Sequence, residues 1–322
     1  MTLNIAHRGG AALYPENTLA AFRNAVALGC DGAELDVQLS RDGEVVVFHD
    51  FRLKPELCRD ENGKWLQQPT PRIKDLTFAE LRRFDIGRAD PASGYARAHA
   101  VLEPSDGERL PSLREVVEIA KTAAKPFRLF VELKTSFADR SLSADPRHLA
   151  EATLAVLRAQ DYLSGSVFVG FDWPGLLHAK ELTPDVECWF TTHPQTWFAD
   201  SPPPPRDNPP SDVALQVLRH WARTGTSPWA SGHDAVRHGG SILRAIEAAG
   251  GKGWFPMYRD ATPEAVAEAH ALGLMVGAWT VDDPTEMRRL CALGVDAICT
   301  DRPELLAEVL NYDVSAPSKE QA

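Results

Sequence analysis

Short apolar strands alternate with amphipathic helices along the 322-residue chain, glycine and proline punctuate the junctions, and chemistry-bearing side chains recur at strand C-termini. That combination predicts an α/β fold, a TIM (β/α)8 barrel, because a parallel sheet with helical crossovers buries both faces and eight such units close on themselves. About 250 residues suffice for a barrel, so the surplus length predicts insertions in one large domain.

Leu3 to Ala6 is an apolar strand ending at His7. Asn17 has the side chain of a good N-cap for a helix with Leu19, Phe22 and Val26 on one face, and Gly29 stops it. Gly32 to Leu39 alternates Ala33, Leu35 and Val37 against Glu34, Asp36 and Gln38, the period of a strand. The turn Arg41-Asp42-Gly43 leads into a further strand, Glu44 to Phe48, which delivers His49. Residues 51–110 are polar and rich in breakers, with Trp65 and Tyr95 but no sustained period, and form an insertion within the barrel.

Order resumes where Ser112 and Glu115 make a capping box for a helix with Leu113, Val116 and Val117 on one face. A strand from Phe127 to Leu133 and a helix from Ala144 to Ala159 follow. Strand Val167 to Val169, a helix from Pro174 and a strand from about Val186 to Phe190 repeat the unit. Residues 193–231, with Pro202 to Pro205, are expected to be an irregular loop insertion. Helix Ser241 to Ala249, strand Trp254-Phe255, helix Pro263 to Leu272, strand Leu274 to Val281, helix Pro284 to Leu293 and strand Ala297 to Thr300 complete the barrel. Residues 312–322 are expected to be a flexible tail.

Thirty-four basic against 45 acidic residues give a net charge of -11, which repels a nucleic-acid backbone and excludes that partner. A small anionic substrate stays compatible, because local cations reverse the potential inside a cleft. Five scattered cysteines, none in a close Cys-x-x-Cys pair, read as buried small hydrophobes in a reducing compartment. No signal peptide fits ahead of the strand at Leu3 and no apolar run approaches the roughly 20 residues of a membrane span, so a cytoplasmic protein is expected. Oligomeric state leaves no sequence signal.

Glu34 and Asp36 stand two apart on a strand, on one face with backbones about 6.6 Å apart, close enough for both carboxylates to reach one cation. By itself such a pair is more often the solvated side of an ordinary strand. Position changes the balance: a barrel collects its active site from strand C-termini, and His7, Glu34, Asp36 and Glu132 lie at or near such ends. Oxygen-only ligation favours a hard divalent cation, Mg²⁺ or Ca²⁺, over zinc. His7 or His49 alone reads as a core histidine bonded to a carbonyl; two imidazoles beside a carboxylate cluster can instead give and take protons near neutral pH. Asp50 either orients the His49 ring or caps a turn. Arg8 offers a donor fork and Lys134 a point charge for phosphate oxygens, against a surface salt bridge as the plain alternative for each. Trp279 serves either as a core aromatic or as a flat wall for a substrate's carbon skeleton.

In order along the chain, His7-Arg8-Gly9, Pro15-Glu16-Asn17-Thr18, Glu34-Leu35-Asp36-Val37, Asp42-Gly43, His49-Asp50, Pro111-Ser112-Leu113, Glu132-Leu133-Lys134, Phe171-Asp172, Trp279-Thr280-Val281, Gly294-Val295-Asp296 and Thr300-Asp301-Arg302-Pro303 resemble the glycerophosphodiester phosphodiesterase family. The resemblance spans the barrel from first strand to last. It implies a TIM barrel with an insertion after the second strand, His7 and His49 as the acid and base pair, Glu34, Asp36 and Glu132 around a divalent cation, and Arg8 and Lys134 on the phosphate. The implied reaction cleaves a small-molecule glycerophosphodiester to an alcohol and sn-glycerol 3-phosphate. Gly170 stands where the family often has Ser, and Asp282 where it often has Asn, departures that bear on substrate preference more than on chemistry. Two rivals share the fold: a lysophospholipase D-like enzyme, which needs an apolar patch in an inserted loop, and a non-catalytic anion-binding barrel, which needs no proton-transfer pair.

Overall fold

The computed structural model describes residues 1–315. Along the chain run β1 (Leu3–Ala6), α1 (Leu19–Ala27), β2 (Gly32–Leu39), β3 (Val45–Val47), α2 (Phe78–Leu81), α3 (Gly94–Ala98), α4 (Leu113–Ala120), β4 (Arg128–Leu133), α5 (Pro146–Ala159), β5 (Ser166–Gly170) and α6 (Trp173–Leu182). Then come β6 (Cys188–Thr191), α7 (Asp212–Thr224), α8 (Ile242–Ala248), β7 (Gly253–Phe255), α9 (Pro263–Ala271), β8 (Met275–Ala278), α10 (Pro284–Leu293), β9 (Ala297–Thr300) and α11 (Pro303–Ser315). Eight strands pair in parallel in the order β1-β2-β4-β5-β6-β7-β8-β9 and close where β9 meets β1 through Leu3↔Ala297 to Ala6↔Thr300. The predicted TIM barrel is the observed fold. β3 lies outside the cylinder, antiparallel on the end of β2.

Inside the cylinder Ile5, Phe130, Val167, Val169, Trp189 and Phe255 interlock, dominated by three large rings. Room for those rings comes from Gly253, where a Cβ would stand 2.5 Å from the Trp189 indole. A second apolar layer, including Phe22, Leu35, Val131, Leu154, Leu176 and Leu290, fills the space between strands and helices. α4 begins at the anticipated capping box, with Ser112 Oγ accepting from Glu115 N–H and the Glu115 carboxylate accepting from Ser112 N–H.

Several local expectations change. Asn17 does not cap α1: Thr18 does, its side chain accepting from Ala21 N–H, while Asn17 takes a left-handed backbone (φ +57°) that frees its amide for the site. The segment 51–110 packs its own small core of Leu53, Leu57, Cys58, Ile73, Leu81 and Ile86, drawn together across breaker-rich sequence that no single period reveals. Residues 193–231 are not irregular throughout. They hold the 13-residue α7, capped by Ser211 and stopped by Gly225, with Leu215 and Leu218 buried at i, i+3 spacing; the prolines just ahead of it masked that signal. The expected strand Leu274 to Val281 is the shorter β8, and Trp279 follows it, joined to Met257 by one isolated parallel bridge. Of the expected tail 312–322, α11 runs on through Ser315 and the rest lies outside the described residues.

Candidate active site

Register brings the chemistry together. Because Ala6 pairs with Thr300, His7 and Asp301 leave β1 and β9 side by side, and because Asp36 pairs with Glu132, two carboxylates stand abreast on β2 and β4. His7 to Gly9 form a single 3₁₀ turn with Arg8 and Gly9 in the left-handed region (φ +49° and +85°). A Cβ on Gly9 would come within 2.7 Å of the Ala21 Cβ, so glycine is what lets this turn press against the start of α1.

The predicted residues converge. Glu34, Asp36 and Glu132 each bring an oxygen within 4.8 Å of the others, and Glu34 and Asp36 are only 2% and 1% exposed. Arg8 places its Nε 3.2 Å from Asp36 Oδ2, and its backbone N–H donates to Glu34 Oε2 at 3.2 Å. Lys134 Nζ donates to Glu132 Oε1 at 2.7 Å and stands 3.4 Å from Asp36 Oδ1. His7, Arg8, Glu34, His49, Lys134 and Trp279 are among the residues lining one cavity of about 190 Å³ at this mouth of the barrel. Trp279 is fixed there by its indole N–H, which donates to Phe255 O at 2.9 Å.

Each histidine has its own carboxylate. His7 Nδ1 meets Asp301 Oδ1 at 2.5 Å while its Nε2 lies 3.8 Å from Glu34 Oε2. His49 Nδ1 meets Asp50 Oδ1 at 2.8 Å, so Asp50 orients the ring. Their charges differ. Burial works against a proton on His7, but Asp301 and Glu34 outweigh it and push its pKa up to about 9. At His49 burial acts with the cations Lys134 and Arg8 and pulls the pKa below the ordinary histidine value despite Asp36 and Asp50. At neutral pH the pair thus carries one proton on His7 and a free imidazole at His49.

Among the carboxylates, burial and then the neighbouring Asp36 push Glu34 up to about 8. Asp36 goes the other way: burial opposes ionisation, yet Lys134 and Arg8 hold it well below the usual carboxylate range. Glu34 therefore marks a surplus of negative charge where three oxygen donors meet. A hard divalent cation fits that donor set and relieves that surplus.

Three contributors escaped the sequence reading. Asn17 donates its amide to Asp36 Oδ2 at 2.9 Å. Glu16 accepts from Arg8 Nη1 at 3.0 Å and from the Tyr95 hydroxyl at 2.7 Å, tying α3 of the first insertion to the Arg8 loop. Asp301, noted only as part of a motif, is the partner of His7; no periodicity signals a partner 294 positions away.

The Glycerophosphoryl diester phosphodiesterase family profile matches residues 7–305. The chain belongs to that family. As a member it is a phosphoric diester hydrolase that acts on glycerophosphodiesters. It is 28% identical over 309 residues to the Glycerophosphodiester phosphodiesterase of Caldanaerobacter subterraneus, covering 96% of this chain and 98% of the relative. With the enzyme of the same name from Bacillus altitudinis it shares 27% over 316 residues, again 96% and 98% of the two chains. A crystal structure from Silicibacter pomeroyi, of a protein assigned as a glycerophosphoryl diester phosphodiesterase, superposes with a TM-score of 0.79 at 29% identity, over 98% of this chain and 94% of that one. An Oleispira antarctica phosphodiesterase in complex with the product sn-glycerol-3-phosphate shares the fold at a TM-score of 0.65 and 22% identity, over 95% and 96% of the two chains. Of the two departures noted from this family, Asp282 accepts from Thr300 Oγ1 and Asp301 N–H, behind the His7 partner, and Gly170 leaves only ordinary contact distance, 3.6 Å, to Leu133 O. Among the described residues no helix is long and apolar enough to cross a membrane.

Proposed function

We propose that this enzyme hydrolyses a glycerophosphodiester to an alcohol and sn-glycerol 3-phosphate, with His7 and His49 as the acid and base pair and Glu34, Asp36 and Glu132 as ligands of Mg²⁺ or Ca²⁺. One observation carries the reading: two imidazoles, each oriented by its own carboxylate, border a cavity lined by Glu34 and Glu132, whose oxygens cluster with that of Asp36. An anion-binding barrel has no use for a singly protonated pair of that kind. The product bound to the Oleispira antarctica phosphodiesterase is the one this reaction yields.

Arg8 and Lys134 neutralise the non-bridging phosphate oxygens as charge grows on them. Held by Glu34, Asp36 and Glu132, a divalent cation would supply Lewis acidity at the phosphate and would acidify the attacking hydroxyl. The unprotonated histidine takes the proton of the attacking hydroxyl, and the protonated one gives its proton to the departing alkoxide. Asp50 and Asp301 hold the two rings in position throughout. Trp279 walls the carbon skeleton.

The test is release of glycerol 3-phosphate from glycerophosphoethanolamine. Replacing either His7 or His49 with Ala should cut turnover about 10² to 10⁴-fold, and variants that keep near-normal rates would refute the assignment. Chelator should abolish activity, with Mg²⁺ or Ca²⁺ restoring it; full activity in chelator would remove the cation from the scheme.

A further inference from the structure

The catalytic cavity adjoins a larger one of about 660 Å³, and His49, Lys134, Phe171 and Trp279 border both. From the shared edge a run of rings leads outward, each packed on the next. Trp279 meets Phe171 at 5.5 Å between centroids, Phe171 meets His193 at 4.9 Å, and His193 meets Trp197 at 5.5 Å. Trp197 belongs to a short turn, Gln195–Trp197, in the second inserted segment, and its indole N–H is held by Asp207 O at 3.1 Å. Burial pushes the His193 pKa down to about 4, so this run of rings is uncharged at neutral pH.

The carboxylates along this cavity are already committed. Glu132 is held by Lys134, Asp50 by His49 and Lys54, Asp172 by Arg140 and Thr135, and Asp207 by Thr196 and Arg259. Arg206 and Asn208 also border the cavity from its exposed rim, but ring and hydrocarbon surface makes up the larger part of its lining. Volume points the same way: phosphate and a three-carbon skeleton suit the 190 Å³ cavity, whereas a two-carbon polar alcohol leaves most of 660 Å³ unfilled.

We propose that the aromatic cavity binds an extended apolar substituent of the diester, and that Trp197 is a specificity-determining residue. The inference rests on the glycerophosphodiester reading of the catalytic cavity. An apolar chain has two sources, an alkyl leaving alcohol or an acyl group on the glycerol, and the products separate them. Octanol with glycerol 3-phosphate identifies the first. Choline with acylated glycerol phosphate identifies the second.

Three substrates are compared below their micellar concentrations: glycerophosphoethanolamine, glycerophospho-octanol and a short-chain monoacyl glycerophosphocholine. At least one apolar substrate should exceed the ethanolamine diester in kcat/KM by tenfold or more, about what two buried methylene groups supply. Trp197→Ala should shrink that ratio at least tenfold and Trp197→Phe should restore most of it, which a general loss of folding would not do. Binding to the His49→Ala protein, followed by calorimetry, gives a readout free of turnover: the octyl or monoacyl diester should bind more tightly and with the more negative heat-capacity change. Equal kcat/KM for all three substrates, or an equal loss for all three in Trp197→Ala, would overturn the proposal. Absence of hydrolysis of every diester would instead sink the catalytic reading, while calorimetry would still decide whether the cavity prefers apolar chains.

Discussion

His7 and its partner Asp301 show how much one side chain depends on residues distant in sequence. His7 titrates near 9 in the folded chain against 6.5 ordinarily, so its imidazolium contributes stability that is complete below about pH 6.5 and lost as pH rises through 9. Glu34, displaced from 4.5 to about 8, adds a loss of the same sign between those values. In chelator the thermal midpoint should therefore fall from pH 6.5 to 9, and Asp301→Asn, which removes the anion nearest His7, should flatten the part of that fall above pH 8. Thermal scans across the range decide; an unchanged slope in Asp301→Asn would assign the fall to another group. The same substitution should move the alkaline limb of the pH–rate profile to lower pH, since His7 would then surrender its proton sooner.

At the scale of elements, two local devices make opposite predictions about function. Gly9 is squeezed between the His7 turn and α1, so Gly9→Ala combines a left-handed alanine with a clash against Ala21. It should cost about 1 to 3 kcal/mol in urea unfolding and most of the activity, because relief of the clash displaces the residues on either side of Arg8. Ser112 caps α4 away from the catalytic cavity. Ser112→Ala should cost about 1 kcal/mol and leave kcat unaltered; a tenfold fall in kcat would show that α4 is coupled to the site. Elements with an uninterrupted period were legible from sequence: β2 was read residue for residue, and the α4 capping box was read from two side chains. α7 was not, because Pro202 to Pro205 drew the whole stretch into one irregular reading although Leu215 and Leu218 keep helical spacing. Asn17 was misplaced by one residue for a related reason. Both Asn17 and Thr18 are good caps, and only the demand of Asp36 for a donor decides between them.

For the whole molecule, closure of the barrel joins acids from β2 and β4 to imidazoles that follow β1 and β3, and a cation bound among them links binding to stability. At a hundred times its dissociation constant, Mg²⁺ or Ca²⁺ should raise stability by about 2.7 kcal/mol, seen as a higher thermal midpoint. Glu34→Gln with Asp36→Asn should abolish the rise; a rise that survives would place the ion elsewhere. The chain carries 45 acidic against 34 basic residues, yet Arg8 and Lys134 sit among the buried acids at the mouth where the proposed reaction holds its phosphate. Local potential, not net charge, governs that mouth.

By itself the sequence determined the repeating strand and helix units, the positions of His7, Glu34, Asp36, His49, Glu132 and Lys134 at or near strand ends, and through their ordered motifs the family. Those properties depend on side-chain period and on residue type, both local. Tertiary structure alone decided that Asp301 holds His7, that Asn17 and Glu16 support Asp36 and Arg8, and that four rings from three loops line up beside His49. Such contacts join residues from 4 to 294 positions apart, and strand register and loop packing, which bring them within a few ångströms, leave no periodic trace along the chain.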